Sequence, residues 1–354
     1  MRADATVTPF RIDISETALV DLAERLSRAP LQQPGRVNEL LDLWRQGFDW
    51  REWEARLNTH PQFTTEIDGQ RIHFLHVRSA ERDTFPLILT HGWPGTVVEY
   101  LDVIAPLTAQ GFDLVIPSIP GFAFSGPASG WNRYRTARAW AELMRRLGYE
   151  SYGAVGNDVG ATISLELGRE DPEHVTGIHV TQIFSLPADP HDAGDLIGDD
   201  HERLERSTAF IQEHGAYLRL HATRPDTLAP ALTDSPVGLL GWNAQLLESV
   251  DPAFALANIT IYWLTGTGAS AIRFYHEDAR VSRPGGPTSR PVGLAEFTGD
   301  FFASIRRFAH RDHTSIVSWN TYPGGGHYAA HQAPSVLAQD ITGFFRSLAH
   351  TATA

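Results

Sequence analysis

The sequence contains no cysteine among its 354 residues. This absence excludes disulfide bonds, iron–sulfur clusters, thiolate zinc sites and cysteine nucleophiles. Long apolar runs are also missing, because no stretch approaches the roughly 18 residues that mark a transmembrane helix. The N-terminal segment lacks the apolar core of a signal peptide. We therefore expect a cytoplasmic protein with no membrane partner.

Basic residues are in the minority, since 29 Lys and Arg against 42 Asp and Glu give a formal net charge of −13. A surface of this sign repels phosphate backbones, so we expect no nucleic-acid partner. Hydrophobic residues at 42% and charged residues at 20% are typical of a globular protein. The length predicts about two structural units. It leaves open whether the chain forms a homodimer.

Apolar strands alternate with helical stretches in the first half of the chain, which predicts an α/β fold with a parallel, doubly wound sheet. A helix-biased region then interrupts this alternation, and such insertions lie over the carboxyl ends of the strands. The residues before the sheet pattern predict helices and a hairpin turning at Asp68-Gly69. We predict an N-terminal extension at 1–78, a first core part at 79–185, a helical cap at 186–285 and a second core part at 286–354.

The pentapeptide Gly156-Asn157-Asp158-Val159-Gly160 lies between a predicted strand and a helix predicted at 162–169. A small–x–acid–x–small turn at this place is a nucleophile elbow with aspartate in the serine position. A carboxylate displaces a leaving group at sp³ carbon and forms an alkyl ester. Hydrolysis of that ester needs a general base and an oxyanion hole. The turn predicts Asp158 as a nucleophile.

The segment His91-Gly92-Trp93-Pro94-Gly95 follows a predicted apolar strand and fits an oxyanion-hole loop. Proline has no N–H, so Trp93 is the expected upstream donor, paired with the N–H of Val159. A strand-to-loop turn that buries a tryptophan is the alternative interpretation.

The base must come from 16 histidines. His327, in a glycine-rich loop after the last predicted strand, matches the chain order of nucleophile, acid and histidine. We expect the others to have no catalytic role, with His310 and His313 on a solvated polar face, His331 on the surface, His91 bonded to backbone in its own loop, and His73 and His76 without partners.

The acid that orients this base is expected at the end of the strand predicted at 291–297. Asp300 follows that strand, and Glu296 and Asp312 are its rivals. Glu296 lies within the strand pattern, and Asp312 lies in the polar run before the next strand.

Aromatic side chains of the helical insertion are candidates for binding the substrate. If the leaving group is the oxygen of an opened epoxide, a converging pair of tyrosine hydroxyls can donate to it. The insertion offers Tyr217, Tyr262 and Tyr275, and the residues alone do not select a pair. The tryptophans Trp93, Trp242 and Trp263 suggest an apolar or aromatic substrate. Packing in the core would explain all three equally well.

Six motifs occur in the order found in microsomal-type epoxide hydrolases, which this chain resembles over nearly its whole length. They are His91-Gly-Trp-Pro-Gly, Pro117-Ser-Ile-Pro-Gly-Phe-Ala-Phe-Ser, the Asp158 turn, Asp234-Ser-Pro-Val-Gly-Leu, Arg273-Phe-Tyr and Gly325-Gly-His-Tyr-Ala-Ala. The segment from Pro9 through the hairpin resembles that family's N-terminal domain.

The resemblance implies an α/β-hydrolase fold and a small-molecule epoxide as substrate, with no metal and no cofactor. It implies Asp158 as nucleophile, His327 as base and Asp300 as orienting acid. It selects Tyr217 and Tyr275 as the oxygen-binding pair and leaves Tyr262 out.

Three features depart from the family pattern. Val159 stands where the family often has an aromatic residue, and Asp300 stands where glutamate is common. We expect no counterpart of the membrane anchor of the animal enzymes. We predict hydrolysis of an epoxide to a vicinal diol; a hydrolytic dehalogenase and a non-catalytic relative of the α/β-hydrolases are the alternatives.

Overall fold

The computed structural model describes residues 6–29, 35–188, 190–194, 196–281 and 286–352. The strands are β1 (Thr8–Phe10), β2 (Gln62–Ile67), β3 (Gln70–Val77), β4 (Phe85–Thr90), β5 (Phe112–Pro117), β6 (Tyr152–Gly156), β7 (Val175–Val180), β8 (Val292–Gly299) and β9 (Ile316–Gly326). The helices before the insertion are α1 (Glu16–Arg28), α2 (Gly35–Gln46), α3 (Trp50–Leu57), α4 (Leu101–Thr108), α5 (Arg133–Arg146) and α6 (Val159–Glu170).

The remaining helices are α7 (Pro190–Gly194), α8 (Asp199–His214), α9 (Ala216–Thr223), α10 (Pro225–Asp234), α11 (Pro236–Ala244), α12 (Pro252–Thr265), α13 (Gly268–Ala279), α14 (Arg306–Asp312), α15 (Ala329–Gln332) and α16 (Pro334–Ala352). Short 3₁₀ turns at Val97–Tyr100 and Ala123–Ser125 follow β4 and β5. Within the described ranges, no helix is both long enough and apolar enough to cross a membrane.

The described strands form one sheet in the order β1-β2-β3-β5-β4-β6-β7-β8-β9. Pairing is antiparallel from β1 to β5 and parallel from there to β9. Asp68 and Gly69 both have positive φ, 53° and 75°, which fits the right-handed twist of a two-residue hairpin between β2 and β3. The N-terminal segment therefore extends the central sheet through the contact of β3 with β5.

The helices α7 to α13 lie between β7 and β8 in the chain, inside the region predicted as an insertion. The sequence pattern missed α9 and α10 and placed the start of α6 at residue 162, whereas α6 begins at Val159. In parallel strands the carboxyl ends share one edge of the sheet, where ligands bind in open α/β folds. The residues that follow β4, β6, β7, β8 and β9 are therefore brought to the same edge.

Candidate active site

Asp158 occupies the sharp turn between β6 and α6, with φ of 52° and ψ of −125°. Few side chains adopt a positive φ, so this backbone is strained. A Cβ at Gly156 would lie 2.2 Å from the carbonyl oxygen of Gly160, and one at Gly160 would lie 1.8 Å from the carbonyl oxygen of Thr90. Glycine is required at both flanking positions because nothing larger fits, as the elbow motif predicts.

The loop after β4 comes close to the Asp158 carboxylate. The N–H of Trp93 donates to Asp158 Oδ1 at 3.0 Å, and a Cβ at Gly92 would lie 2.3 Å from the same oxygen. The N–H of Val159 also donates to this carboxylate. Two backbone donors thus converge on an almost fully buried carboxyl group, in the arrangement that an oxyanion hole requires.

His327 directly follows β9 and lies between two carboxylates. Its Nδ1 is 3.2 Å from Asp300 Oδ1, and its Nε2 is 3.8 Å from Asp158 Oδ2. The distance of 3.8 Å between Nε2 and Asp158 Oδ2 is too long for a hydrogen bond. A base that activates water for attack on a neighbouring ester needs this kind of separation, because the water has to reach the carbonyl carbon.

Gln182, which follows β7, connects the predicted nucleophile to the predicted acid. Its Oε1 accepts a hydrogen bond of 2.8 Å from the N–H of Asp158, and its Nε2 donates to Asp300 Oδ2. Because an amide side chain carries both an acceptor and donors, Gln182 can make both contacts. No sequence motif marks Gln182, although a polar side chain that follows a buried strand is a signal from which it could have been found.

The rivals for the acid position are occupied elsewhere. Glu296 Oε1 accepts from Arg203 at 2.5 Å, and Asp312 accepts from Arg311 at 2.7 Å. Asp300 is the carboxylate that the structure places beside His327. Asp300 directly follows the end of β8 at Gly299. This position brings its short side chain within hydrogen-bonding distance of His327.

Several expectations about the other histidines were wrong. His313 is buried rather than solvated, and His331 is half-buried between Asp102 and Asp251, at 2.7 and 2.6 Å. His73 contacts Ser118 and Gln62, and His76 contacts Tyr149. Long-range partners of this kind leave no local sequence signal. His91 does bond backbone in its own loop, at 2.9 Å to the carbonyl oxygen of Gly92.

The structure separates the three candidate tyrosines by what their hydroxyl groups contact. The hydroxyl of Tyr262 donates to the carbonyl oxygen of Gly95 at 2.8 Å. In the described part of the chain, the hydroxyls of Tyr217 and Tyr275 have no protein partner. Their rings lie 5.3 and 6.2 Å from the ring of Trp93. Two free donors therefore lie next to the loop that contacts Asp158.

The two tryptophans predicted to bind substrate lie in different places. Trp242 donates from its indole N–H to His221 Nε2 at 2.8 Å, and His221 in turn contacts the rings of both tyrosines. Trp263 lies under the guanidinium group of Arg25, 5.5 Å from its ring centroid. The structure thus packs Trp263 against the N-terminal helix α1 and does not bring it to Asp158.

Comparison with known proteins identifies the family. Residues 7–100 match the family model for the epoxide hydrolase N terminus, and residues 86–205 match that for the alpha/beta hydrolase fold. A Stigmatella aurantiaca protein assigned to the epoxide hydrolases is 37% identical, with 97% of this chain and 85% of that protein covered. Rabbit (Oryctolagus cuniculus) epoxide hydrolase 1 is 30% identical, with 96% and 89% covered. The chain belongs to the epoxide hydrolase family.

Solved structures agree with this assignment. The epoxide hydrolase of Aspergillus niger is 28% identical, covers 98% of this chain and 97% of its own, and superposes with a TM-score of 0.85. These comparisons confirm the predicted family, its enzymatic character and the α/β-hydrolase fold.

A second buried carboxyl group of this epoxide hydrolase lies next to the site and was missed by the sequence analysis. Glu99 Oε1 accepts from the amide of Asn157 at 2.7 Å, and Glu99 is almost fully buried. Burial raises its pKa to about 8, although His327 and Asn157 oppose the rise. The sequence feature that could have indicated Glu99 is an acidic residue within the otherwise apolar segment 97–100.

The charges of the site favour a protonated His327 before reaction. Burial lowers the pKa of His327, but Asp300 and Asp158 outweigh that effect and raise the pKa to about 9. Burial also raises the pKa of the Asp158 carboxyl, and His327 and the N–H groups of Trp93 and Val159 oppose this rise. Forming an ester would remove the charge of Asp158, so it would lower the pKa of His327 and turn it into a base.

Replacing Asp158 with asparagine should therefore lower the pKa of His327 from about 9, because one of the carboxylates that raise this pKa is lost. An NMR titration of the His327 imidazole measures this value. The matched control is Asp171→Asn, which removes a carboxylate beside His174 and should leave His327 unchanged. An unshifted His327 in Asp158→Asn would contradict the electrostatic coupling.

Proposed function

We propose that this enzyme adds water to an epoxide and releases a vicinal diol through a covalent ester on Asp158. The observation that carries the proposal is the arrangement around one buried carboxylate. The backbone N–H of Trp93 contacts one of its oxygens, and the imidazole of His327 lies 3.8 Å from the other. Beside this group, the hydroxyls of Tyr217 and Tyr275 bond none of the described protein atoms. Each part of a two-step hydrolysis has a group in place.

In the first step, a carboxylate oxygen of Asp158 attacks a ring carbon and the carbon–oxygen bond of the epoxide breaks. Tyr217 and Tyr275 hold the epoxide oxygen, and one of them donates its proton to the oxygen as the ring opens. Burial, followed by the charge of Asp158, raises the pKa of both tyrosines, so both carry their protons at neutral pH. They are therefore hydrogen-bond donors when the substrate binds.

Between the two steps, the proton of His327 passes to the tyrosinate, which restores the tyrosine and leaves a neutral imidazole. In the second step, water attacks the carbonyl carbon of the ester. His327 takes a proton from this water, and Asp300 holds the Nδ1–H of the imidazole so that Nε2 faces the ester. The N–H groups of Trp93 and Val159 stabilise the oxyanion. Collapse of the tetrahedral intermediate breaks the bond between the carbonyl carbon and the alkyl oxygen. The proton of the new carboxyl group passes to the departing alkoxide, which releases the diol and restores the carboxylate. The Asp–His–Asp triad of this reaction needs no cofactor.

The rings around the site support an apolar or aromatic substrate. Phe301 stacks on His327 with ring centroids 4.3 Å apart, and Phe210 stacks on Phe301 at 4.2 Å. Trp93 adds its ring beside the two tyrosines. A site lined by aromatic rings favours substrates that bury apolar surface when they bind.

Isotope labelling in a single turnover tests the ester. In water enriched in ¹⁸O, with enzyme in excess over an aromatic epoxide such as styrene oxide, we expect an unlabelled diol. The label should appear in the peptide that contains Asp158, because water attacks the carbonyl carbon of the ester. Label that enters the diol directly would overturn the proposal. A parallel assay with haloalkanes distinguishes this activity from that of a hydrolytic dehalogenase.

A further inference from the structure

His221 lies at the centre of a group of aromatic rings beside the predicted nucleophile. It is fully buried on α9, and the centroid of its ring lies 4.6 Å from Trp93, 5.1 Å from Tyr275 and 5.6 Å from Tyr217. The proposed mechanism assigns no role to this imidazole. It nevertheless contacts both tyrosines that would hold the epoxide oxygen.

A hydrogen bond fixes the state of this imidazole. The indole N–H of Trp242 can only donate, so His221 Nε2, 2.8 Å away, must accept, and the ring proton is on Nδ1. Burial lowers the pKa of His221 to about 3, so the ring is neutral at physiological pH. One tautomer and one orientation are thereby selected.

The two tyrosines depend on this ring for their positions. Tyr217 precedes His221 by one helical turn on α9, so both side chains share a face, and Tyr275 comes from α13. Because neither hydroxyl is hydrogen-bonded to the described protein atoms, the side chains packed around the two rings decide where the hydroxyls lie. His221 is in contact with both rings, and hydrogen bonding to Trp242 on α11 stops it from rotating.

We propose that His221 is a positioning residue for ring opening. Held by Trp242, its neutral imidazole sets the separation and direction of the Tyr217 and Tyr275 hydroxyls so that both reach the same epoxide oxygen. The inference rests on the proposed function, since it assigns the tyrosines to the first step. It concerns only that step, because His327 and Asp300 act in the second.

Two substitutions separate positioning from simple filling of space. His221→Phe keeps a flat ring but cannot accept from Trp242, so the ring is free to tilt and the indole N–H loses its partner. His221→Gln removes the ring but keeps an acceptor for Trp242 and an N–H donor. If His221 only fills space, ester formation should be faster in His221→Phe than in His221→Gln. If it positions the tyrosines, ester formation should be faster in His221→Gln.

Transient kinetics with styrene oxide measures ester formation and ester hydrolysis separately. For His221→Phe we expect ester formation to slow by about 10- to 100-fold, since a displacement near 1 Å costs about that much. Ester hydrolysis should stay within about twofold, because the change leaves the base and acid intact. For His221→Gln, ester formation should remain closer to that of the unmodified enzyme.

His73→Phe is the matched control, because His73 is another fully buried histidine with two side-chain partners, at 2.9 Å each. It should lower stability without slowing ester formation. If His221→Phe does not fold, Trp242→Phe removes the fixing N–H together with part of the indole ring and should slow ester formation by about two- to tenfold.

Two outcomes would overturn the inference while leaving the proposed function intact. One is ester formation in His221→Phe as fast as in the unmodified enzyme; the other is an equal slowing of both steps. If the unmodified enzyme forms no ester with any epoxide, the proposed function itself fails, and the variants are not needed to show it.

Discussion

Replacing His327 with glutamine should trap the covalent intermediate. Asp158 can still open the epoxide, because its carboxylate and the tyrosines are unchanged, but no base remains to activate water. Loss of a general base slows a step by about 10²- to 10⁴-fold, so ester should accumulate within one turnover. Mass spectrometry of the intact variant should show the added mass of one substrate, and peptide mapping should place it on Asp158.

The double variant Asp158→Asn, His327→Gln should form no adduct, which assigns the bond to this carboxylate. His331→Gln is the matched control, since His331 lies one turn further along the chain and contacts Asp102 and Asp251 instead. Its turnover should stay within a few fold. Normal turnover in His327→Gln, or an adduct that persists in the double variant, would contradict the mechanism.

Changing Tyr217 and Tyr275 together to phenylalanine should nearly abolish ring opening. Removing one donor to a developing oxyanion costs about 10²- to 10³-fold in rate. Without either hydroxyl, the epoxide oxygen has no acid to take a proton from. The measurement is the rate of ester formation in a single turnover, and combining the pair with His327→Gln should prevent the adduct that His327→Gln alone accumulates.

Tyr262→Phe provides the comparison for this pair. Its hydroxyl is bound to the carbonyl oxygen of Gly95 at 2.8 Å, so its loss should cost about 1 kcal/mol of folding stability and leave ring opening in place. Circular dichroism of the Tyr217, Tyr275 variant checks that the fold survives. Rapid ester formation by that folded variant would remove the tyrosines from the proposed mechanism.

The order of elements and the turn that carries Asp158 were predictable from sequence because their causes are local. Apolar runs of strand length, alternating with helical patterns, predict a parallel sheet. The glycines at 156 and 160 are needed because the turn brings backbone atoms into contact. The polar end of each strand is also a local feature, and it placed Asp158, Asp300 and His327 on the same edge of the sheet.

Residues whose roles depend on distant partners could not be predicted in this way. Gln182 lies between Asp158 and Asp300, and Glu99 bonds Asn157 from another loop. The hydrophobic pattern also did not predict helices α9 and α10. Nothing in a single segment indicates which distant side chain will complete a buried hydrogen bond.

The sequence by itself determined the family, the strand order along the chain and the identity of the candidate nucleophile, base and acid, because short motifs with steric requirements specify them. Only the tertiary structure decided which tyrosine hydroxyls bond other atoms of the described chain, that Trp263 packs against α1, and that His221 lies between Tyr217 and Tyr275. Those facts depend on how the helical insertion packs over the sheet. Packing depends on contacts between residues that are far apart in the sequence, so no short segment is enough to predict it.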